Sequence, residues 1–152
     1  MISSKKGLVT AVITLLITAS VSSSTIAEEL LLVGASSSSR QPFTIYELRK
    51  ISLGHSVERE GAQVKGVVNT ADEEVYQIFL QKLIHLSAKD YERRLMSRMF
   101  RTGVSSVSKV DTFAELKSAL LSDDSNISVV RAGQLAANSN LEVIQVLWVT
   151  GQ

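Results

Sequence analysis

The chain has 152 residues, 45% of them hydrophobic and 20% charged, which predicts one folded domain with its own core. The 16 Lys and Arg residues nearly balance the 15 Asp and Glu residues, and the resulting net charge of +1 indicates neither a nucleic-acid-binding protein nor one that requires a cationic partner. The absence of cysteine excludes disulfides, thiolate-bound zinc or iron–sulfur clusters, and cysteine nucleophiles.

Residues 1–27 have the pattern of a secretory signal peptide. Two lysines precede an apolar run over 7–21, and the small side chains of Thr25 and Ala27, three and one residues before the cut, suit cleavage by signal peptidase after Ala27. The apolar run is shorter than the roughly 20 residues that span a bilayer, so an uncleaved membrane anchor is the less favoured alternative. We therefore expect a periplasmic mature chain, 28–152, that forms a single domain.

Short apolar runs and helix-capping signals predict the elements of the mature chain. In chain order these are a strand at 29–33, a serine loop at 36–39, a helix at 45–52, a polar loop at 55–62, a strand at 63–68, helices at 71–86, 88–102 and 113–121, and strands at 127–131 and 141–149, with a minor strand near 104–110. Strands separated by helices favour an α/β fold, with a mainly parallel sheet of about four strands flanked by helices.

The predicted helix starts depend on capping sequences. Three Thr-x-x-Glu sequences are capping boxes: Thr44 with Glu47, Thr70 with Glu73, and Thr112 with Glu115. Ser87 with Asp90 predicts the start of the helix at 88, and Gly103 predicts its end.

No group of residues has the pattern of a catalytic or metal site. His55 and His85 lie 30 residues apart without metal-ligand spacing, and the acidic residues 72–74 are typical of a helix start that interacts favourably with the helix dipole. The chain contains no nucleophile elbow, phosphate-binding glycine loop or dinucleotide fingerprint. We therefore expect neither catalysis nor a cofactor.

Three arginines are spaced to share one face of the helix at 88–102. Arg94, Arg98 and Arg101 are separated by four and three residues. The simpler interpretation is a solvated face balanced by nearby acidic residues, and the functional one is a docking surface for an acidic partner.

The order of motifs supports a family resemblance. The stretches that carry it are Pro42-Phe43-Thr44, the helix from Glu47 to Gly54, the strand and long helix from Val64 to Leu86, the helix from Tyr91 to Gly103 with its Phe100-Arg101-Thr102-Gly103 end, the helix from Phe113 to Leu121, and the strands Asn126 to Val130 and Leu141 to Trp148. In this order the chain resembles the short, single-lobe members of the phosphate-type periplasmic substrate-binding protein family. The resemblance implies one lobe of a binding protein whose larger relatives close two lobes around a solute.

The same resemblance identifies a ligand loop and shows how this chain departs from it. Phosphate binders of the family have a loop like R-x-x-G-S-G-T, in which an arginine and the start of a helix hold the anion. Here Asn69 replaces the arginine, and Glu73 and Glu74 replace the serine–glycine pair. Carboxylates at these positions repel a phosphate dianion.

Three interpretations of function remain open from the sequence. The favoured one is an accessory or sensory module that acts through protein contact, with a membrane transporter or sensor protein as partner. The second is a true binder of phosphate or another small solute that feeds a transporter, and the third is an enzyme. For either binding role the predicted ligand-binding residues are those expected at the strand ends, namely Ser36, Ser37, Ser38, Ser39, Asn69 and Thr70.

Overall fold

The computed structural model describes residues 28–35, 41–105, 107–135 and 140–149. The predicted signal peptide and Ser36 to Ser39 lie outside these described residues. The elements are β1 (Glu29–Ala35), α1 (Ile45–Ser52), β2 (Glu58–Arg59), β3 (Ala62–Gln63), β4 (Lys65–Asn69), α2 (Glu73–Phe79), a π-helical turn (Leu80–Ile84), α3 (Ala88–Thr102), β5 (Val107–Val110), α4 (Phe113–Ser122), β6 (Asn126–Arg131), α5 (Ala132–Leu135) and β7 (Leu141–Val149).

Five strands form the main sheet in the order β5-β4-β6-β1-β7. β4 runs parallel to both β5 and β6, whereas β1 is antiparallel to its neighbours β6 and β7. Four strands therefore point in one direction and β1 points in the other. The α/β class with a mainly parallel, helix-flanked sheet is confirmed, and the fifth strand is the predicted minor one, which pairs at the edge.

Helices cover both faces of the sheet, because strand β1 has apolar side chains on each face that must be buried. Leu30 and Leu32 enter the larger core, which also contains buried residues of α1, α2, the π-helical turn and α3. Leu31 and Val33 point the other way, into a smaller core with Leu116 of α4. A strand buried on both faces has a continuous apolar sequence rather than an alternating one.

One predicted capping box is wrong. The Asp72 side chain caps α2, because its Oδ1 accepts the Val75 N–H at 3.1 Å. The Thr70 hydroxyl instead donates to the Val110 carbonyl at 2.8 Å, which ties the end of β4 to β5. The helix expected over 71–86 is also shorter, since α2 gives way to the π-helical turn, which ends at His85 with φ of 57°.

Two further helix starts agree with the sequence. Thr44 and Glu47 form the predicted reciprocal box at the start of α1, and Ser87 caps α3, which ends at Gly103 in the left-handed conformation. Before α4, the Thr112 hydroxyl accepts the Glu115 N–H, so half of the predicted box is present. The other half is replaced, because the Glu115 carboxylate accepts the N–H of Asp111.

The segment expected to be a polar loop contains a small hairpin. β2 and β3 pair in antiparallel fashion through Glu58 with Gln63 and Arg59 with Ala62. Gly61 at the turn has φ of 79°, a left-handed value that suits glycine. Two-residue strands with polar sequences lack the hydrophobic alternation by which longer strands are recognised.

Candidate functional site

The carboxyl ends of β4 and β6 form the site at which an open α/β sheet most often binds ligands. After β4 the chain goes to β5 on one side, and after α4 it crosses to β6 on the other side. The pairing of β4 with β5 continues to Asn69 opposite Val110, but its pairing with β6 covers Lys65 with Asn126 and Gly66 with Ile127. The strand order reverses at β4, so this crevice is the topological switch point of the sheet.

Side chains of the protein itself bridge the crevice. Asn69 donates its amide Nδ2 to the Val129 carbonyl at 3.2 Å and accepts the Ala71 N–H at 3.1 Å. The Ser128 hydroxyl donates to the Val67 carbonyl at 2.6 Å. Asn69 and Ser128 are 4% and 3% exposed, so both hydrogen-bond within the fold and are closed to solvent.

Thr70 joins the ends of two strands. Its hydroxyl lies 2.8 Å from the Val110 carbonyl oxygen and 2.6 Å from the Asp111 carboxylate, and its N–H also donates to Val110 at 3.0 Å. Thr70 and Asn69 thus each have hydrogen-bond partners within the fold. Their role in ligand binding stays a prediction.

Strand β1, which precedes the serines in the chain, ends at the edge of the sheet opposite to the carboxyl ends of β4 and β6. Because β1 is antiparallel to β6, its first half pairs with the end of β6, as Leu30 does with Arg131. Its last residue, Ala35, pairs with Leu141 at the start of β7. The segment 36–39 lies outside the described residues, so its part in ligand binding stays a prediction.

Arg131, at the end of β6, is the central charge of the crevice. Its guanidinium contacts both oxygens of Asp72, at 2.5 and 2.9 Å, and Glu74 at 2.7 Å, and it also pairs with Glu28. One cation and three carboxylates leave this group, which we call the Arg131 cluster, with a net charge of −2. The cluster fills the place where an anion would meet the start of α2.

The pKa shifts of Asp72 and Arg131 favour the charged form of both residues. Hydrogen bonding to Arg131 is the main cause that lowers the pKa of Asp72, and the Val75 N–H lowers it further, although partial burial opposes the shift. The carboxylates in turn raise the pKa of Arg131, so both partners stay charged. Sequence reasoning missed Arg131, and the signal for it was a cation at the end of the predicted strand 127–131.

More carboxylates surround the crevice. Glu73, Asp111 and Glu115 lie in the segments that follow β4 and β5, at the same edge of the sheet as the Arg131 cluster. Among the described residues 70–74 and 111–115 at these strand ends there is no lysine or arginine. This edge of the sheet therefore presents negative charge.

The cavity beneath the crevice is too small for a solute. It has a volume of about 30 Å³ and lies between α1, α2 and the sheet, with Asn69, Ser52 and Ser128 among its lining residues. Small-molecule sites usually have volumes of roughly 300–1,000 Å³. The cavity can hold a water molecule rather than an organic ligand or an oxyanion.

The described part of the chain contains no candidate metal site. No group of three or more histidine, aspartate or glutamate side chains there is arranged to hold a metal ion. His85 is exposed at the end of the π-helical turn, and His55 is exposed after α1. No helix of the described ranges is long and apolar enough to cross a bilayer.

Neither a protein-family model nor a curated protein matches this chain. Among solved structures, it is similar to a substrate-binding domain described as that of a molybdenum ABC transporter from Clostridium difficile, at 12% identity and a TM-score of 0.48 over 80% of this chain and 44% of that one. An ABC-type phosphate transport receptor from Vibrio cholerae matches at 14% identity and a TM-score of 0.48 over 78% and 46%. Arginine-bound ArgBP from T. maritima matches at 14% identity and a TM-score of 0.40 over 80% and 44%. The chain spans less than half the length of each of these structures.

Proposed function

We propose that this chain is an exported, non-enzymatic module of the binding-protein type, which acts through contact with a membrane transporter or sensor and does not carry phosphate. The observation that carries the proposal is the Arg131 cluster. Its arginine is the one cation of the crevice among the described residues, and three carboxylates of the same chain already surround it.

A phosphate in this crevice would have to compete with covalently linked neighbours. Asp72 contacts Arg131 through both oxygens and also caps α2, so it satisfies the guanidinium and the start of the helix together. A dianion placed beside Arg131 would lie close to Glu28 and Glu74 as well, and the repulsion grows as water is excluded. The crevice therefore favours protein contact at its acidic rim over capture of an anion.

Export and the assignment to the phosphate-type family are parts of the same proposal. The lysines, apolar run and small residues of segment 1–27 support secretion and a periplasmic location. The order of motifs from Pro42 to Trp148 supports the family resemblance, with the single lobe as mature domain 28–152.

Calorimetric titration with inorganic phosphate tests the ligand side of the proposal. We expect no saturable binding at millimolar phosphate by the folded protein purified from cells, because Arg131 is already neutralised. Binding at micromolar phosphate would contradict the proposal and establish the solute-carrier alternative.

Position-specific cross-linking tests the contact side. A photoreactive residue in place of Glu73, at the acidic rim, should form an adduct in living cells that mass spectrometry identifies as a membrane transporter or sensor. The matched control replaces Ser118, which is exposed on α4. If both positions give the same adducts, or Glu73 gives none, the crevice is not the contact surface.

A further inference from the structure

The outer edge of β5 is open to a further strand. β5 lies at the end of the main sheet, and among the described residues its one neighbouring strand is β4. The two strands pair in continuous register from Gly66 opposite Val107 to Asn69 opposite Val110. The other side of β5 therefore presents backbone N–H and C=O groups that an added strand can satisfy.

The pairing with β4 shows which backbone groups face outward. The Val110 carbonyl accepts the Thr70 N–H at 3.0 Å, so the backbone groups of Val110 point toward β4. Successive residues of a strand direct these groups to opposite sides, so those of Lys109 and Val107 point away from β4. The Ser105 hydroxyl donates to the Val107 carbonyl at 2.6 Å. No turn or loop hydrogen bond of the described residues uses the N–H or C=O of Lys109.

A groove of about 330 Å³ lies beside this edge, between β5 and α3. From the β5 side it is lined by Ser105, Val107 and Lys109, alternate residues whose side chains share one face of the strand. From α3 it is lined by Met96 and Met99, which are 56% and 42% exposed. The groove and the open edge therefore form one continuous surface.

The groove has the volume and lining of a site for apolar side chains. Small-molecule sites usually have volumes of roughly 300–1,000 Å³, so this groove is large enough, unlike the cavity of about 30 Å³ beneath the crevice. Its methionines are flexible and polarisable, so they adapt to side chains of different shapes. Leu95 packs against the larger core, and the Tyr91 hydroxyl donates to the Ser52 carbonyl at 2.6 Å. These contacts fix α3 as one wall of the groove.

The Lys109 side chain leaves the edge accessible. A lysine on an edge strand commonly discourages pairing with other chains. Here Nζ of Lys109 contacts the Glu92 carboxylate at 2.5 Å and lies 5.8 Å from the ring centroid of Tyr76. The side chain therefore reaches toward α3 and α2, while the backbone N–H and C=O point outward.

The opposite edge strand of the sheet is less regular. β7 pairs with β1 with register shifts between Leu30 and Leu31 and between Leu32 and Val33. Such bulges disrupt a ladder and protect an edge against further strands. β5 is therefore the edge of the main sheet that suits the addition of a strand.

We propose that the edge of β5 and the groove beside α3 bind an extended segment of a partner protein, which adds a sixth strand to the main sheet. The backbone of the segment would pair with Lys109. Apolar side chains two residues apart along the segment would enter the groove between Val107 and Met99. In this mode of recognition, main-chain hydrogen bonds supply affinity and pockets for alternate side chains supply specificity.

The backbone groups and the size of the surface identify the occupant. A lipid chain or a small apolar molecule would fill the groove but leave the N–H and C=O of Lys109 unpaired. A second copy would have to pair through β5, whose four residues extend about 13 Å. Such a short pairing covers much less than the roughly 1,600 Å² buried in a standard protein interface, whereas one extended segment needs only the edge and the groove.

Selection from a phage-displayed library of random heptapeptides tests whether the surface binds extended segments. We expect the folded protein, purified from cells, to enrich sequences that have apolar residues at alternate positions and no proline between them. A synthetic peptide of the enriched sequence then serves as the probe in fluorescence anisotropy. No enrichment over an empty surface would contradict the proposal.

The backbone requirement has a matched pair of variants. Lys109→Pro removes an N–H that the pairing with β4 does not use, and proline is found at such edge positions. It should weaken peptide binding about tenfold, because a main-chain hydrogen bond is lost. Lys109→Gln removes the charge but keeps the N–H, and it should bind the peptide as the wild type does. Equal binding by the two variants would show that the β5 backbone is not used.

The groove has its own matched pair. Met99→Ser should weaken peptide binding about tenfold, because it removes apolar surface that a side chain of the peptide covers. Leu121→Ser, at a residue 41% exposed on α4, should leave binding unchanged. The same affinity for both variants would place the peptide outside the groove.

Hydrogen exchange of the wild-type protein tests the same contact without a substitution. The outward N–H of Lys109 should exchange faster than the N–H of Ser108, which points toward β4. The bound peptide should slow exchange at Lys109 and leave Ser108 unchanged. Unchanged exchange at Lys109 with the peptide bound would overturn the proposal.

Self-association is the alternative that sedimentation velocity would reveal. A dimer that K109P dissociates and K109Q does not would show that a second copy occupies the edge, which would replace the proposal. The groove lies between β5 and α3, whereas the Arg131 cluster joins β6 to α2. A failure here therefore leaves the phosphate titration and the Glu73 cross-link unaffected, so the two proposals can fail separately.

Discussion

Two buried tyrosines differ in whether the side-chain hydroxyl has a hydrogen-bond partner, and single substitutions measure how this affects stability. The Tyr91 hydroxyl donates to the Ser52 carbonyl, whereas the Tyr76 hydroxyl is buried without a hydrogen-bond partner among the described residues. Tyr91→Phe should lower the free energy of unfolding by about 1–2 kcal/mol, because it orphans a buried carbonyl. Tyr76→Phe should leave stability unchanged or raise it by up to about 1 kcal/mol.

Urea unfolding of the two variants checks this prediction. The Phe79 ring packs against both tyrosine rings, at centroid distances of 6.3 Å from Tyr76 and 5.8 Å from Tyr91, so each variant keeps a ring–ring contact and only the hydroxyl is compared. Equal losses of stability would mean that the Tyr76 hydroxyl has a partner after all.

Arg131 should determine much of the acid sensitivity of the fold. Asp72 has a folded-state pKa below its ordinary value of 3.8, so its pair with Arg131 stabilises the protein above that pH and loses this effect as the pH falls through the folded pKa. Arg131→Gln should lower the free energy of unfolding by about 2 kcal/mol at pH 7, and the difference from wild type should narrow below about pH 4.

Denaturant unfolding across pH 7 to 2 measures this difference. The control is Arg93→Gln, because the Arg93 and Asp90 side chains of that pair are 76% and 46% exposed and should contribute under about 0.5 kcal/mol. A constant difference between wild type and R131Q at all pH values would show that Asp72 does not titrate against Arg131.

At the level of elements, the junction of β4 with β6 depends on side chains where the backbone pairing stops. Ser128 and Asn69 each make one hydrogen bond that bridges β4 and β6, to the carbonyls of Val67 and Val129, and Asn69 also accepts the N–H of Ala71 within its own turn. We expect losses of about 1 kcal/mol for Ser128→Ala and about 2 kcal/mol for Asn69→Ala.

Hydrogen exchange distinguishes these two bridges. The Ala71 amide, which donates to Asn69, should exchange faster in N69A and at its normal rate in S128A. Ser108→Ala, at an exposed position of β5, is the neutral control. Protection of Ala71 in N69A equal to wild type would show that the Asn69 amide does not hold the start of α2.

The helices also show which local sequence signals were sufficient to predict where a helix begins and ends. Helix α1 has the bounds predicted from its capping box, and helix α3 has the bounds predicted from Ser87 and Gly103. These predictions hold because each capping hydrogen bond joins residues at most four apart in the chain. Thr70 has the same kind of sequence signal before α2, but its hydroxyl contacts the Val110 carbonyl and the Asp111 carboxylate, about 40 residues away, instead of an N–H of the helix. A capping residue is predictable only where no tertiary partner competes for it.

For the whole molecule, charge is distributed in a way that the net value of +1 conceals. Carboxylates lie at the carboxyl ends of β4 and β5, and α3 contains five basic and two acidic residues. One near-neutral chain thus has an acidic edge of its sheet and a basic helix. Composition alone could exclude a strongly basic or acidic protein but could not place either surface.

The amino-acid sequence by itself determined the α/β class, the main strands and the starts of α1 and α3, since these follow from apolar runs and hydrogen bonds within a few residues. Only the tertiary structure decided the direction of β1 and the partners of Arg131. Strand direction depends on pairing between β1 and β6, about 100 residues apart, and a guanidinium finds its carboxylates only after the sheet is assembled. For that reason the sequence placed Asn69 and Thr70 at the end of a strand, whereas the ion pairs of Arg131 beside them were found only in the structure.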